Sequence, residues 1–390
     1  MQNKLRFGII GVGNMGTAHA NNLYNGKIEN ACLTALCDVS KFAQKRVMSD
    51  FQGVEFFSDY NELLKSENVD AVIIATPHYL HPIIAKKAFE QGKNVLSEKP
   101  IGVLQEDIIK LVEYAKKTNK AFGIMFNQRT NALFKKAKEI IDSGELGVKK
   151  RLVWQVTNWY RTQSYYETGT WRGTWRGEGG GVLMNQAPHQ LDLLQWLFGM
   201  PKSVLANLSI AKHHNIEVED DAELLFEYED GASAVFITST GECPGTNRLE
   251  ILGDKGKIVI EKGVLTFTKL KTRERDFCFQ SDRGTYNPES ETFEFKSDDD
   301  LGGHNKILQN FCNHILFNEE LIVSGIDGVN QILLTESAYM SHFLNKRVEV
   351  KFYGKKYDKK LKKLYTDKGV FKEIENPTNE DHSTRWQVKW

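Results

Sequence analysis

A doubly wound α/β domain followed by an α+β domain with an open, mostly antiparallel sheet is predicted by three observations. Apolar runs of strand length alternate with helical segments over the first 125 or so residues. A Gly-x-Gly-x-x-Gly turn joins the first run to the first helix, and beyond residue 144 the runs lengthen, alternate and meet at tight turns. The boundaries drawn from this are 1–126, 127–352 and a C-terminal extension over 353–390.

Leu5 to Ile10 reads as the first strand, Gly11-Val12-Gly13-Asn14-Met15-Gly16 as the turn, and Thr17 to Tyr24 as helix. A second strand, Cys32 to Cys37, ends in Asp38. Asp70 to Ala75 is near-continuously apolar, as a strand covered on both faces must be. Helix Pro82 to Gln91, strand Asn94 to Ser97, helix Glu106 to Thr118, strand Ala121 to Phe126 and helix Thr130 to Ser143 follow. After the Gly144-Glu145-Leu146-Gly147 turn, Arg151 to Trp159 alternates. Ala222 to Tyr228 and Ser233 to Thr238 flank Glu229-Asp230-Gly231, and Arg248 to Leu252 and Lys257 to Glu261 flank Gly253 to Gly256, both hairpin signals. Helices near Gln186 to Phe198, Asn305 to Phe317 and Val329 to Leu344 can cover one face of this sheet. The other face is the expected surface of a homo-oligomer, a dimer or tetramer, because so large an open sheet seldom leaves its second face wet. The basic run Lys355 to Lys363 reads as a solvated face or a packed arm, before a polar tail ending Arg385 to Trp390.

The 390 residues carry 51 basic and 51 acidic side chains, so no net field recommends nucleic acid or an anionic membrane. Five cysteines without CxxC pairing suit a reducing compartment, and no disulfide framework or metal site is expected. No apolar run approaches membrane-spanning length and no secretory leader is recognisable, so a cytoplasmic location is expected.

Strand, glycine turn and helix in that order form the context of a dinucleotide fingerprint. Gly11 turns, Gly13 admits a pyrophosphate, Gly16 lets helix and strand close, and the N–H groups at Asn14 and Met15 face the phosphates. Asp38, 22 residues beyond Gly16, stands where a carboxylate meets ribose hydroxyls and repels a 2′-phosphate. NAD is therefore favoured, with Lys41 and Lys45 keeping NADP as the lesser alternative. Ligands of such sheets meet the strand carboxyl ends, here Thr76-Pro77-His78 with His81, Glu98-Lys99-Pro100, and Asn127-Gln128-Arg129. Lys99 is placed to stabilise an alkoxide. Asn185 and His189, four apart, share a face if one helix holds both, and His189 can take a hydroxyl proton. Tyr160, Trp171 and Trp175 beside Arg172 suit a carbohydrate, or form core or interface. His213-His214, read as a strand-end pair, points to opposite faces and so does not chelate a metal jointly.

The fingerprint, Ala75-Thr76-Pro77 with His81, Gly92 to Pro100, Gly179-Gly180-Gly181 leading to His189-Gln190-Leu191-Asp192, and Leu249 to Gly256 together resemble the glucose–fructose oxidoreductase / inositol dehydrogenase / MocA (Gfo/Idh/MocA) family over roughly residues 4 to 350. The resemblance implies a Rossmann domain, an α/β domain with an open antiparallel sheet paired into dimers or tetramers, and Lys99 and His189 as a catalytic pair acting on a sugar or polyol hydroxyl. Many members carry Asp where this chain has Asn185, and an amide cannot serve as a base, so proton transfer falls to His189. The Trp-Arg loop with this Asn-Gln variant resembles members that oxidise C3 of glucosides or anhydrosugars. The resulting expectation is an NAD-dependent dehydrogenase of a pyranose ring hydroxyl, C3 favoured. The alternatives are a glycosidase- or lyase-like enzyme that recycles bound NAD, and a non-catalytic sugar or dinucleotide sensor.

Overall fold

The computed structural model describes residues 4–297 and 303–369, so the tail ending Arg385 to Trp390 lies outside the described residues. Strands β1 (Leu5–Ile10), β2 (Ala31–Cys37), β3 (Glu55–Phe57), β4 (Ala71–Ile74), β5 (Asn94–Ser97) and β6 (Phe122–Ile124) form one sheet in the order β3-β2-β1-β4-β5-β6. Every pair in it is parallel, as strands joined through helices must be. Ala71, Val72, Ile73 and Ile74 are all buried, which explains why β4 shows no alternation. The winding reverses between β1 and β4, and this opens a crevice at their carboxyl ends.

The second sheet has nine strands: β7 (Lys149–Val156), β8 (Ser203–Ile210), β9 (Glu219–Glu227), β10 (Ser233–Ser239), β11 (Asn247–Gly253), β12 (Gly256–Glu261), β13 (Val264–Leu270), β14 (Ser290–Lys296) and β15 (Val348–Glu349). Their order is β14-β13-β12-β11-β7-β10-β9-β8-β15. The expected hairpins form, but β7 enters between them and lies parallel to β10, so the sheet is mixed. On β9 the inward Ala222, Leu224 and Phe226 are buried while Glu223, Leu225 and Glu227 between them are not. The buried face is covered by helices Pro188–Phe198 and Asp327–Leu344, which also pack on each other. The opposite face exposes Leu205, Leu225 and Leu252 among charged side chains.

Two local expectations are corrected. Asn185 and His189 do not share one helix: a short helix Val182–Asn185 ends before a second begins at Pro188. Proline lacks an N–H and favours the first turn, so it starts a new helix instead of extending the old one. His213 and His214 occupy the turn between β8 and β9, where His214 Nδ1 lies 2.9 Å from Asp220. Among the described residues no helix is long and apolar enough to cross a membrane, and no group of three or more His, Cys, Asp or Glu is placed to hold a metal.

The basic run is a packed arm. Helix Lys355–Lys362 buries Tyr357 and Leu361 and turns Lys355, Lys356, Lys359 and Lys362 outward. Its Asp358 accepts from the N–H groups of Gln105 (2.8 Å) and Glu106 (3.2 Å), capping helix Gln105–Ala115, which has no cap of its own at Leu104. The buried Gln105 side chain donates to Glu336 and accepts from the N–H groups of Tyr353 and Gly354. Beyond the arm helix, Tyr365 donates to the Tyr79 hydroxyl at 2.9 Å and Thr366 to Glu217 at 2.6 Å.

Candidate active site

The glycine turn is built for close approach. Gly11 has φ +91°, and a Cβ there would lie 2.6 Å from the Ala75 carbonyl. A Cβ on Gly16 would lie 1.8 Å from the Gly11 carbonyl, whereas one on Gly13 would meet nothing within 4 Å. Strand and helix thus touch through Gly11 and Gly16, and Gly13 faces open space at the start of helix Asn14–Tyr24, whose first N–H groups have no side-chain cap. Asp38 is held at the tip of β2, with one oxygen accepting from Val12 N–H and the other from Ser40 N–H, each at 2.9 Å. Thr76 Oγ1 is buried without a hydrogen-bond partner. Uncapped helix donors, a fixed carboxylate and an orphaned hydroxyl on one crevice fit a dinucleotide. Arg46, which reaches the Val12 carbonyl and Thr17 Oγ1, borders the same turn and was not anticipated.

The strand ends after β4 and β5 meet beside this cradle. His81 sets its ring nitrogens 2.7 Å from the carbonyl oxygens of Pro100 and Thr76, so it ties the two loops together. That replaces the expected cofactor contact of His81 with a framework role. His78 places Nδ1 2.9 Å from the Glu178 carbonyl and packs edge-on against Trp171. Burial would raise the Glu98 carboxyl, but the hydrogen bond and charge of His19, with Nε2 at 2.8 Å, bring it down to about 2. Lys99 donates from Nζ to the Asn185 backbone oxygen (2.8 Å) and approaches its side-chain oxygen (3.4 Å), and burial lowers its pKa below the ordinary lysine value.

Opposite, the 171–181 loop folds on itself. The Arg172 guanidinium lies 4.6 Å from the ring centres of both Tyr165 and Trp171 and donates to the Tyr165 hydroxyl at 2.7 Å. The buried Glu178 accepts from Gly173 N–H at 2.7 Å with one oxygen and from the Asn185 amide with the other. Glu219 receives Gly181 N–H (3.0 Å) and Leu183 N–H (3.1 Å), and so fixes the start of helix Val182–Asn185. His189 lies in the first turn of the next helix with its ring edge-on to Phe126, and its Nδ1 is buried without a partner. Burial, then the positive charge of Lys99, pushes the His189 ring down to about 3.

Lys99, Asn185, Glu178, Arg172, Trp171 and His78 are therefore joined in one run of contacts, with His189 within electrostatic reach of Lys99. Other expected site residues do not join them. Arg129 is buried in a bidentate ion pair with Asp192 (2.9 and 2.7 Å). Its guanidinium anchors helix Pro188–Phe198 to the turn after β6, so the substrate-binding expectation is replaced by a structural one. Gln128 is buried in the same turn and accepts from Asn131. Trp175 is core: it packs against Tyr339 and Phe343. Tyr160 is exposed, and its carbonyl accepts from Arg161. The sequence reading did not single out Glu178 or Glu219; the signal for Glu178 is an acid set against Gly179-Gly180-Gly181 with no nearby reason to be solvated.

Residues 5–126 match the model of an oxidoreductase family with an NAD-binding Rossmann fold, and residues 134–259 match a GFO/IDH/MocA C-terminal domain. The chain is 29% identical over 346 residues to the myo-inositol 2-dehydrogenase of Thermotoga maritima, spanning 86% of this chain and 96% of that one. Among solved structures, the WlbA dehydrogenase of Bordetella pertussis, in complex with NADH and UDP-GlcNAcA, superposes with a TM-score of 0.75 at 26% identity over 90% of this chain and 99% of that one. A levoglucosan dehydrogenase in complex with NADH and levoglucosan shares the fold with a TM-score of 0.74 at 21% identity, over 90% of this chain and 100% of that one.

Proposed function

The chain belongs to the GFO/IDH/MocA oxidoreductase family with an NAD-binding Rossmann fold, and on that premise we propose that it removes hydride from a secondary ring hydroxyl of a pyranose sugar or glycoside, at C3 by preference. The observation that carries this reading is the Lys99 ammonium, held against Asn185 at the end of the strand beside the cofactor cradle, with the linked Trp171, Arg172 and His78 cluster on the same side. NAD would be held by Gly11 to Gly16, Asp38 and the Thr76-Pro77 strand end, and would supply the hydride acceptor. Lys99 hydrogen-bonds the reacting hydroxyl and stabilises the negative charge that grows on its oxygen. His189 takes the proton; with Nδ1 buried, Nε2 is the nitrogen offered to the substrate. Trp171 supplies an apolar face for a sugar ring, and Arg172, clamped between Trp171 and Tyr165, supplies donors.

The test is a panel of methyl glucosides, glucose, levoglucosan and myo-inositol with excess NAD⁺, followed at 340 nm, with the oxidised position read by NMR. NADH formation with a pyranoside and a ketone at C3 is expected. Oxidation confined to myo-inositol sinks the pyranose assignment, and sugar release without NADH favours a hydrolase with recycled NAD.

We also place a subunit contact on the open face of the nine-stranded sheet, supported by the exposed Leu205, Leu225 and Leu252. Light scattering is expected to give at least a dimer, and Leu225→Lys to weaken it. A wild-type monomer at tens of micromolar removes the assignment.

A further inference from the structure

The substrate side of the site contains a buried carboxylate for which the mechanism above has no use. Glu178 is 1% exposed, and neither of its oxygens faces water. One accepts from Gly173 N–H; the other accepts from the Asn185 side chain, whose oxygen lies 3.4 Å from Lys99 Nζ beside the 2.8 Å bond that Nζ gives to the Asn185 backbone oxygen. The two neighbours of that amide make opposite demands. Burial raises the Glu178 carboxyl while Arg172, Gly173 N–H, the Asn185 amide and Lys99 pull it back; in its ionised form it only accepts hydrogen bonds, as the ammonium only donates them. Asn185 must therefore turn its nitrogen to Glu178 and its oxygen to Lys99, and no flipped orientation satisfies both.

We propose that Glu178 is a positioning residue for the reaction: by accepting from the Asn185 amide it fixes the amide oxygen toward Lys99 and aims the ammonium at the reacting hydroxyl. Three features make this a built arrangement. Glu178 is held in place by Gly173 N–H at 2.7 Å, with Arg172 Nη1 4.0 Å away to balance its charge. Asn185 is held by its own backbone, since Glu219 fixes the first turn of helix Val182–Asn185. The Tyr165 hydroxyl, 3.3 Å from both the Asn185 and Gln186 amide nitrogens, closes the remaining side. The Asn185 side chain is thus a neutral relay between a buried acid and Lys99, and the acid acts without touching substrate. Position 185 carries no acid in this chain, and the carboxylate stands one group further from Lys99, at Glu178.

The inference rests on the reading of Lys99 as the alkoxide stabiliser, and reversal of the pair separates the two. In Glu178→Gln only one of the two positions keeps an acceptor, so either Gly173 N–H or the Asn185 amide meets an NH2 group and the arrangement that fixes Asn185 is broken. With the panel compound that gives the highest rate, kcat is expected to fall about 10- to 100-fold while the Kd for NAD⁺, measured by fluorescence titration, stays within about threefold. In the double variant Glu178→Gln with Asn185→Asp, carboxylate and amide exchange places. An acceptor again faces Lys99, and kcat is expected to recover at least 10-fold over the single variant. In Asn185→Asp alone two carboxylates face each other, so the double variant is expected to be faster than either single one; an Asn185→Asp rate at or above that of the double variant shows a direct effect of the new acid and overturns the proposal. Glu178→Gln within about twofold of wild type, or a double variant no faster than the single, overturns the proposal. If Glu178→Gln fails to fold, Asn185→Ala is read instead, and wild-type kcat there overturns it equally. Independently of any substrate, a crystal structure of Glu178→Gln is expected to show Lys99 Nζ moved away from the Asn185 side-chain oxygen, and an unmoved contact contradicts the proposal. Loss of activity in Lys99→Ala with none in Glu178→Gln rejects this inference and keeps the function; normal activity in Lys99→Ala rejects the reading beneath it.

Discussion

Lys99→Ala is expected to lower kcat about 10³-fold while leaving the Kd for NAD⁺ within about threefold, because removing one preaimed donor from a developing oxyanion costs about 10²- to 10³-fold. The ammonium sits at the strand end beyond β5, between the cofactor cradle and Asn185, and the glycine turn that holds the dinucleotide does not depend on it. Its pKa gives a second readout. Burial lowers the Lys99 ammonium below its ordinary 10.5, so the charged form that acts is lost earlier as pH rises. The kcat profile is expected to fall on the alkaline side with a midpoint below the ordinary lysine range. Lys99→Arg keeps its charge throughout and is expected to abolish that limb, though its planar fork cannot reproduce the point-charge geometry and the plateau drops. Near-normal turnover in Lys99→Ala, or an alkaline limb unchanged in Lys99→Arg, removes Lys99 from the mechanism.

The second large effect is expected at His189. His189→Ala should reduce kcat by about 10²- to 10⁴-fold, the range for losing a positioned general base. The ring is pushed down to about 3, below its ordinary 6.5, so it is neutral across the working range and can accept a proton, though as a weaker base than an ordinary imidazole. No acid limb from His189 is therefore expected between about pH 5 and 8. The charge that depresses the ring is mainly that of Lys99, after burial itself, and the same charge favours the alkoxide. In the proposed reaction the two residues would act on one proton from opposite ends, Lys99 making it easier to release and His189 receiving it. An acid limb near 6.5 in the kcat profile that vanishes in His189→Ala would show the ring to be solvated in the working complex. Turnover within about threefold of wild type in that variant would dismiss it as the base.

What could be read from the chain follows from the range of each interaction. The doubly wound domain was legible because β1, the glycine turn and the helix behind it are consecutive, and Asp38 sits at a fixed distance down the same unit. Lys99 and His189 could be singled out as candidates because each follows a recognisable strand end or glycine run. The sequence left three things undetermined. Hairpins announce their own turns, but nothing in β7 says that it will slide between two of them and run parallel to β10. Arg129 looked available at a strand end, yet its partner Asp192 lies 63 residues away, and pairing across that separation leaves no local pattern. Trp175 sits in the same aromatic stretch as Trp171, but four residues of loop turn one toward His78 and the other into Tyr339 and Phe343. The break at Pro188 was available in principle, since a proline at that point marks the start of a helix.

The closure of the C-terminal arm onto the first sheet's helices has a consequence for modularity. The N-terminus of helix Gln105–Ala115 is capped by Asp358, and Gln105 itself is satisfied by Glu336, Tyr353 and Gly354, so the nucleotide-binding half finishes its hydrogen bonding with residues encoded some 230 to 250 positions later. A gene fragment ending after β6 would expose two helix N–H groups and an amide that the complete chain keeps dry. Recombination between relatives that exchanged only the first half would likewise pair one ancestor's Gln105 with another's arm. In this chain the hydrogen-bonded unit is the whole circuit, not the domain.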